Sequence, residues 1–319
     1  MNAVLRLDML LVARWHIDAQ HSDTMGAKQM ADPAALRRRL RTELRRAREE
    51  AHKTQRDVAD ALFWSPSKVI RIENGQTGVS VTDLKALLDL YGMRDTARTS
   101  ELVELARQSR KQPWSQYRDV VPPEVATYYG YEASASVVRQ FEPLLIPGLL
   151  QTQAYTRALL QGVFQEDEGT IQRRVEARLE RQELLNREDE RELFFIVDEA
   201  AVRHLVGGAR AMADQLEHIA ELGERPDITF RVVPFGVGGY IGLQGPFSLL
   251  EFPQPDDADV VYLEGRETSF FHDDDEKTSR YLNIFFDLEN KALSEEESIR
   301  LLGKIVSELE VDISAPPRH

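Results

Sequence analysis

The sequence predicts a small all-α N-terminal domain followed by a larger mixed α/β domain. Three observations support this. Between residues 34 and 110 the apolar side chains recur at three- and four-residue spacing, the mark of amphipathic helices. Beyond Tyr131 short apolar and β-branched runs (LFFIVD, DITFRVVP, PFSLLEF, DVVYLE) alternate with helical stretches. The charge is divided at nearly the same place. The 319 residues carry −14, yet residues 33–94 hold thirteen Lys or Arg against eight Asp or Glu, and residues 95–319 carry −18. A basic module joined to an acidic body suggests two jobs.

Composition sets further bounds. Hydrophobic residues are 42% of the chain, enough for a sizeable core, and there is no Cys. Disulfides, thiolate zinc sites and cysteine nucleophiles are thereby excluded, and a cytoplasmic setting is expected. No apolar run approaches the ~20 residues a membrane span needs. The opening MNAVLRLDMLLVARW is interrupted by Asp8 and lacks a small-residue cleavage site, so it does not read as a signal peptide. Residues 1–30 read as a weakly ordered extension, with Met25 and Met30 as alternative starts.

In chain order, residues 34–51 form a helix with Leu36, Leu40, Leu44 and Ala47 inward and arginines on the other face. Thr54, with Asp57 three residues on, opens a second helix through a capping-box-like start, and Val58, Ala59 and Leu62 point inward. Ser65-Pro66 opens a third, with Ser as N-cap and Pro at the first helical position. Its inward residues are Val69 and Ile72, and Asn74-Gly75 stops it. Helices over 81–91 and about 96–110 complete a domain spanning residues 31–112. Residues 113–130, rich in Pro and aromatics, read as a linker that docks. The α/β domain occupies 131–310 and 311–319 is a tail. Within the α/β domain the stretch EASASVVRQFEPLL is helical or extended.

Two short helices joined at Leu62–Ser65, with small Ala59 at their crossing, match a helix-turn-helix. In that motif the second helix, here residues 66–73, lies in the DNA major groove. With Val69 and Ile72 inward, Ser67, Lys68 and Arg71 fall on the outer face as base readers. Arg71 is suited to bidentate contact with guanine. Thr54, Gln55 and Arg56, at the start of the preceding helix, suit phosphate contacts that position without specifying sequence.

The stretch LRRAREEAHKTQRDVADALFWSPSKVIRIENG resembles the Cro/repressor-type (XRE) helix-turn-helix domain. The resemblance rests on Arg48-Glu49-Glu50, Thr54-Gln55, Val58-Ala59, Ser67-Lys68 and the run Arg71 to Gly75. It implies an Arg48–Glu73 ion pair tying the first helix to the recognition helix. It also implies a phosphate contact by Gln55 and base reading by Ser67, Lys68 and Arg71. His52 stands where the family often has Gly in a left-handed turn. Ile70 stands where a small polar residue is common, and either meets a thymine methyl or packs. Further on, WSQYRDVV, QFEPLLIPGLLQTQAYTRALL, RRVEARLERQ, DEAAVRHLVGG and GPFSLLEF resemble the C-terminal domain fused to such helix-turn-helices in actinobacterial antitoxin-like regulators. That resemblance implies a small partner protein encoded nearby.

In the acidic body, FGVGGYIGLQGPF carries Gly236, Gly238, Gly239, Gly242 and Gly245. It matches neither a dinucleotide fingerprint nor a phosphate-binding Walker loop. It reads as a turn between strands or as a loop closing on a ligand or partner. His272 before Asp273, Asp274 and Asp275 reads as a turn supplying carboxylates to a helix N-terminus, with a metal site as the alternative. His204 and His218 lack a second ligand at i+4. No nucleophile elbow or paired base is found, so no catalytic residue, metal or cofactor is assigned and no enzyme activity is expected.

The sequence thus points to a homodimeric, sequence-specific transcriptional regulator of double-stranded DNA. Its C-terminal domain is expected to bind a small basic protein or a ligand, with no membrane association. An interaction scaffold and a DNA-anchored enzyme are the alternatives.

Overall fold

The computed structural model describes residues 33–73, 78–109, 114–164, 166–187, 190–253, 257–265 and 269–314. Asn74 and Gly75, the 1–30 extension, Pro113 and tail residues 315–319 lie outside them. Five helices build the N-terminal domain: α1 (Pro33–Glu50), α2 (Gln55–Ala61), α3 (Pro66–Glu73), α4 (Val81–Leu90) and α5 (Thr96–Gln108). The side chains at helical spacing do become its core. Leu36, Leu40, Leu44 and Ala47 of α1 close on Val58, Ala59, Val69, Ile72, Leu84, Leu87, Leu88 and Leu102.

The three turns that follow α1, α2 and α4 share one geometry. At each, the residue after the cap adopts positive φ: His52 (51°), Phe63 (55°) and Gly92 (73°). The next amide then bonds back to the third-last helical carbonyl: Lys53 N to Arg48 O, Trp64 N to Ala59 O, Met93 N to Leu88 O. This is the left-handed helix stop that normally selects glycine. His52 takes the conformation the resemblance calls for. Phe63 takes it at a position the sequence did not flag.

The C-terminal domain begins earlier than a linker over 113–130 implies. After a 3₁₀ turn at Ser115–Tyr117, helix α6 runs from Pro123 to Ser134, and its Tyr128 and Tyr129 are core residues. Pro122 and Pro123 start this helix rather than break the chain, because proline suits the first helical positions. Then come β1 (Val137–Glu142), α7 (Gln153–Leu159), α8 (Glu168–Gln182), β2 (Glu192–Asp198), α9 (Glu199–Arg203), α10 (Gly208–Leu222), β3 (Ile228–Val233), β4 (Phe247–Glu251), β5 (Val260–Leu263), β6 (Phe270–His272), α11 (Asp275–Lys291) and α12 (Glu295–Ser314). Helix α12 thus takes in the first residues of the expected tail. The strands form one sheet ordered β3-β2-β1-β4-β5-β6. β1, β2 and β3 are parallel, joined by helical crossovers, and β4, β5 and β6 continue antiparallel.

Strand β1, left open between helix and strand by its sequence, sits mid-sheet. Alternation sends Val138 and Gln140 to the face packed by α6, α8 and α10, and Phe141 to the face packed by α11. Two carboxyls on the first face meet different fates. Glu132 of α6 is buried against Arg181 of α8, with Arg181 Nε and Nη2 each 2.6 Å from a carboxylate oxygen. Arg181 also lies over the rings of Tyr128 and Tyr129. Glu142 forms no ion pair among the described residues. It keeps some accessible surface where it borders a cavity, yet it sits deep enough for desolvation to push its carboxyl up to about 8. Glu264 reinforces the shift, while the Gln140 hydrogen bond, Arg181 and Arg178 oppose it.

Two outcomes follow from these carboxyls. Glu132→Ala should destabilise the chain by about 3–5 kcal/mol in urea unfolding, because it strands a buried guanidinium, whereas Glu132→Leu combined with Arg181→Met should recover most of the loss. Glu142 sets a pH dependence. Below 4.5 both folded and unfolded chains hold its proton, and between 4.5 and about 8 only the folded chain does. Its contribution to stability therefore falls as pH rises through that window. Unfolding midpoints across the window should fall less steeply in Glu142→Gln than in the parent.

Candidate nucleic-acid interface

The geometry of α2 and α3 follows from their end signals. Thr54 Oγ1 accepts from Asp57 N at 3.1 Å and Asp57 Oδ2 accepts from Thr54 N at 2.8 Å, a reciprocal capping box. The Thr54 hydroxyl, which donates to Asp57 Oδ2 at 2.7 Å, and the Thr54 amide hold the Asp57 carboxyl below its ordinary range. Ser65 Oγ accepts from Lys68 N at 3.3 Å, and Pro66 opens α3. Between the helices, the Phe63 side chain is 96% exposed. Leu62 and Trp64 on either side of it pack against the core.

Glu73, at the last turn of α3, is buried. Arg48 of α1 grips it bidentately, Nε to Oε1 at 2.7 Å and Nη2 to Oε2 at 3.1 Å, and Arg48 Nη1 bonds Lys53 O at 2.8 Å. The Glu73 hydrogen bond raises the affinity of the Arg48 guanidinium for its proton. Gln55 of α2 donates from Nε2 to Glu73 Oε2 at 2.8 Å, and Arg45 donates to the Glu73 carbonyl at 3.1 Å. The structure therefore brings Arg48 and Glu73 together. It also joins the Gln55 side chain to the same carboxylate.

On α3, Val69, Ile72 and Glu73 face inward, while Ser67, Ile70 and Arg71 are exposed. Ile70 is 40% exposed and does not join the core. Arg71 and Arg56 form no hydrogen bond or ion pair among the described residues. Lys68 differs: its Nζ lies 3.0 Å from Asp83 Oδ1 on α4 and 3.6 Å from the centroid of the Trp64 ring. Asp83, as the third residue of a helix capped by Ser80, gave no sequence signal that it would also hold Lys68.

A helix-turn-helix domain model matches residues 39–102. A second model, described as a domain of unknown function (DUF5753), matches residues 125–304, more than half of the chain. The chain belongs to the DUF5753 family. No curated protein and no solved structure matches it.

The DUF5753 domain takes up part of the basic surplus that the sequence assigned to DNA. All seven arginines of α1 are engaged with protein acceptors. Arg39 and Arg46 pair with Glu101 and Glu50, and Arg37 donates to Ser109 O. Arg45 and Arg48 serve Glu73. Arg38 and Arg41 reach into the DUF5753 domain, where both pair with Asp273. Arg38 also lies 5.0 Å from the centroid of the Phe252 ring and donates to Asp259 O. Burial lowers its pKa. Of the run after His272, Asp274 caps α11 and Asp275 lies in its first turn, as the turn reading expects, while Asp273 faces α1. Among the described residues no group of three or more His, Asp or Glu converges to hold a metal ion.

The glycine-rich stretch forms two 3₁₀ turns, Phe235–Val237 and Ile241–Gln244. Tyr240 donates to Asp198 Oδ2 at 2.5 Å, and Phe235 N donates to Glu199 Oε2 at 2.9 Å. A side chain at Gly242 would collide with the rings of Tyr240 and Phe141. Gly238 and Gly245 adopt positive φ, while Gly236 and Gly239 have open space around them. The stretch is thus pinned to the α11 face of the sheet.

Asp83→Asn tests how Lys68 is held. Freed from its partner, Lys68 should strengthen binding to any duplex several-fold and steepen the salt dependence by about one phosphate equivalent. A filter-binding series over ionic strength reads both.

Proposed function

We propose that the chain is a sequence-specific transcriptional regulator that inserts α3 into the major groove. The outer face of α3 carries this reading. Ser67, Ile70 and Arg71 are exposed on a helix whose inner face is held by Glu73, Arg48 and Gln55. The match to a helix-turn-helix domain supports it. Arg71, free of protein partners among the described residues, reads guanine through O6 and N7, and Ile70 meets a thymine methyl. Ser67 adds a hydroxyl, and Lys68 contributes once it leaves Asp83. Arg56 and Thr54 contact phosphate. Such a module is small, so the protein binds as a homodimer across two half-sites about one helical turn apart. The DUF5753 domain is the sensor. It is not an enzyme, and its protein partner is a small basic chain encoded nearby, drawn by the −18 carried on residues 95–319. That makes the protein antitoxin-like in the sense of the XRE-type regulators it resembles.

Selection of oligonucleotides from a random pool by the full chain tests the reading. Arg71→Ala should cost about 1–3 kcal/mol and relax preference at one base pair in each half-site. Gln55→Ala, which loosens the seat of α3, should weaken all selected sites about equally. An Arg71→Ala selection with unchanged preference would overturn the recognition face, and one chain per site by light scattering would overturn the dimer.

A further inference from the structure

A cavity of about 260 Å³ opens beside the C-terminal end of β1, on the sheet face covered by α6 and α8. Strand register aligns its floor. Gln140 of β1 is opposite Ser248 of β4, which is opposite Tyr262 of β5. Tyr128 and Tyr129 of α6 form a wall, and Tyr128 stacks on Tyr262 with centroids 4.4 Å apart. β1 is also where the chain reverses its order through the sheet, with β2 and β3 on one side and β4 to β6 on the other.

The polar lining has acceptors to spare. Gln140 is 6% exposed and donates its amide to Glu142 Oε1 at 2.9 Å, while Gln140 Oε1 is buried with no hydrogen-bond partner among the described residues. Glu142 forms no ion pair among the described residues, and Glu264 stands exposed at the rim. Two arginines also line the cavity, each with a protein acceptor. Arg181 is neutralised by Glu132, and Arg178 donates to Gln151. A buried acceptor without a donor is costly, and Glu142 avoids an unpaired buried charge only by keeping its proton; one ligand bearing several N–H groups and a positive charge satisfies the acceptor and releases that proton to solvent as the carboxylate forms.

We propose that this cavity binds a small organic amine in its protonated form, the ammonium held by Glu142, Gln140 Oε1 and Glu264 and the apolar body lying against Tyr128, Tyr129 and Tyr262. A neighbouring cleft of about 280 Å³ shares Tyr129, Arg178 and Glu264 and leaves room for a longer ligand. Two elements carry occupancy to the helix-turn-helix. Helix α6 presents Tyr128 and Tyr129 to the cavity and Tyr131 to Phe252, the ring under Arg38. Strands β4 and β5 line the cavity with Ser248 and Tyr262, and past their ends Phe252 and Asp259 O hold Arg38. A ligand shifts DNA affinity only by binding the two forms unequally. The proposal deepens the sensor reading and rests on it for this last step alone.

Calorimetric titration of the full chain without DNA tests the site, using phenethylamine and agmatine as amines, and 2-phenylethanol and phenylacetate as neutral and anionic controls. Saturable binding of an amine, with none of either control, is expected. Glu142→Gln, which keeps the side-chain shape, should lower that affinity about tenfold or more with an unchanged circular dichroism spectrum. Glu264→Gln, at an exposed position that folding does not need, should lower it less. Failure of both amines to bind at millimolar concentration, equal binding of 2-phenylethanol, or full affinity in both variants would overturn the proposal. The affinity for a selected oligonucleotide, with and without the bound amine, is then measured separately. An unchanged value overturns the coupling and leaves the site standing, while failure to select any oligonucleotide overturns the DNA reading and leaves the calorimetry intact.

Discussion

One buried carboxylate holds the reading head together. Glu73 receives Arg48 from α1 and Gln55 from α2, while its own helix, α3, is the one to be aimed. A carboxylate with 2% exposure would be a liability alone. Here both oxygens are satisfied, and the acceptor geometry leaves α3 one orientation relative to its two neighbours. Base reading by direct contact depends on such orientation, because side chains on a loosely held helix lose their register with the base edges. The hydrophobic contacts of Val69 and Ile72 supply adhesion but are non-directional. The ion pair supplies the direction.

The same helix that grips Glu73 is fastened on its other side to the DUF5753 domain. Arg45 and Arg48 point toward α3, and Arg38 and Arg41 toward Asp273. Helix α1 is therefore a beam between recognition helix and acidic body. This changes the meaning of the N-terminal charge. Seven arginines on one helix resemble a phosphate-binding stripe in sequence, yet in the fold each meets a protein acceptor. The surplus of basic over acidic residues in 33–94 remains, since pairing within the protein does not change the summed charge of that segment. Under the proposed reading, direct contact falls to residues without a protein partner among those described, Arg56 and Arg71 foremost.

Much of the N-terminal domain was legible because its signals are local. Capping at Thr54 and Ser65, proline at the first position of α3 and apolar spacing along α1 all act within a few residues. The Arg48–Glu73 pair was legible only through family resemblance, since nothing in spacing relates positions 25 apart. What escaped the sequence depended on tertiary partners. Lys68 looked like a free base reader because Asp83 lies on another helix, and Gln55 looked like a phosphate contact because Glu73 was not yet beside it. Residues 113–130 looked like a linker because prolines that open a helix and prolines that break one are the same letters. Phe63 was missed because glycine, the usual marker of a left-handed helix stop, is absent there.

In the C-terminal domain the failures fall together. Strands β2 to β5 were readable as apolar runs, whereas VVRQFE of β1 was left open between helix and strand. Its central position predicts a buried apolar run, and Arg139, Gln140 and Glu142 violate that. Arg139 is accommodated by Glu251 and the ring of Phe194 on the α11 face. Gln140 and Glu142, on the other face, are not fully accommodated by protein at all, and they border the cavity. Local rules are most often broken where function or strain requires it. A buried strand that keeps an unpartnered amide oxygen and an unpaired carboxyl has retained two groups that cost stability in the free protein. The sequence pattern was unreadable at β1 for the same physical reason that makes β1 a candidate ligand-binding strand.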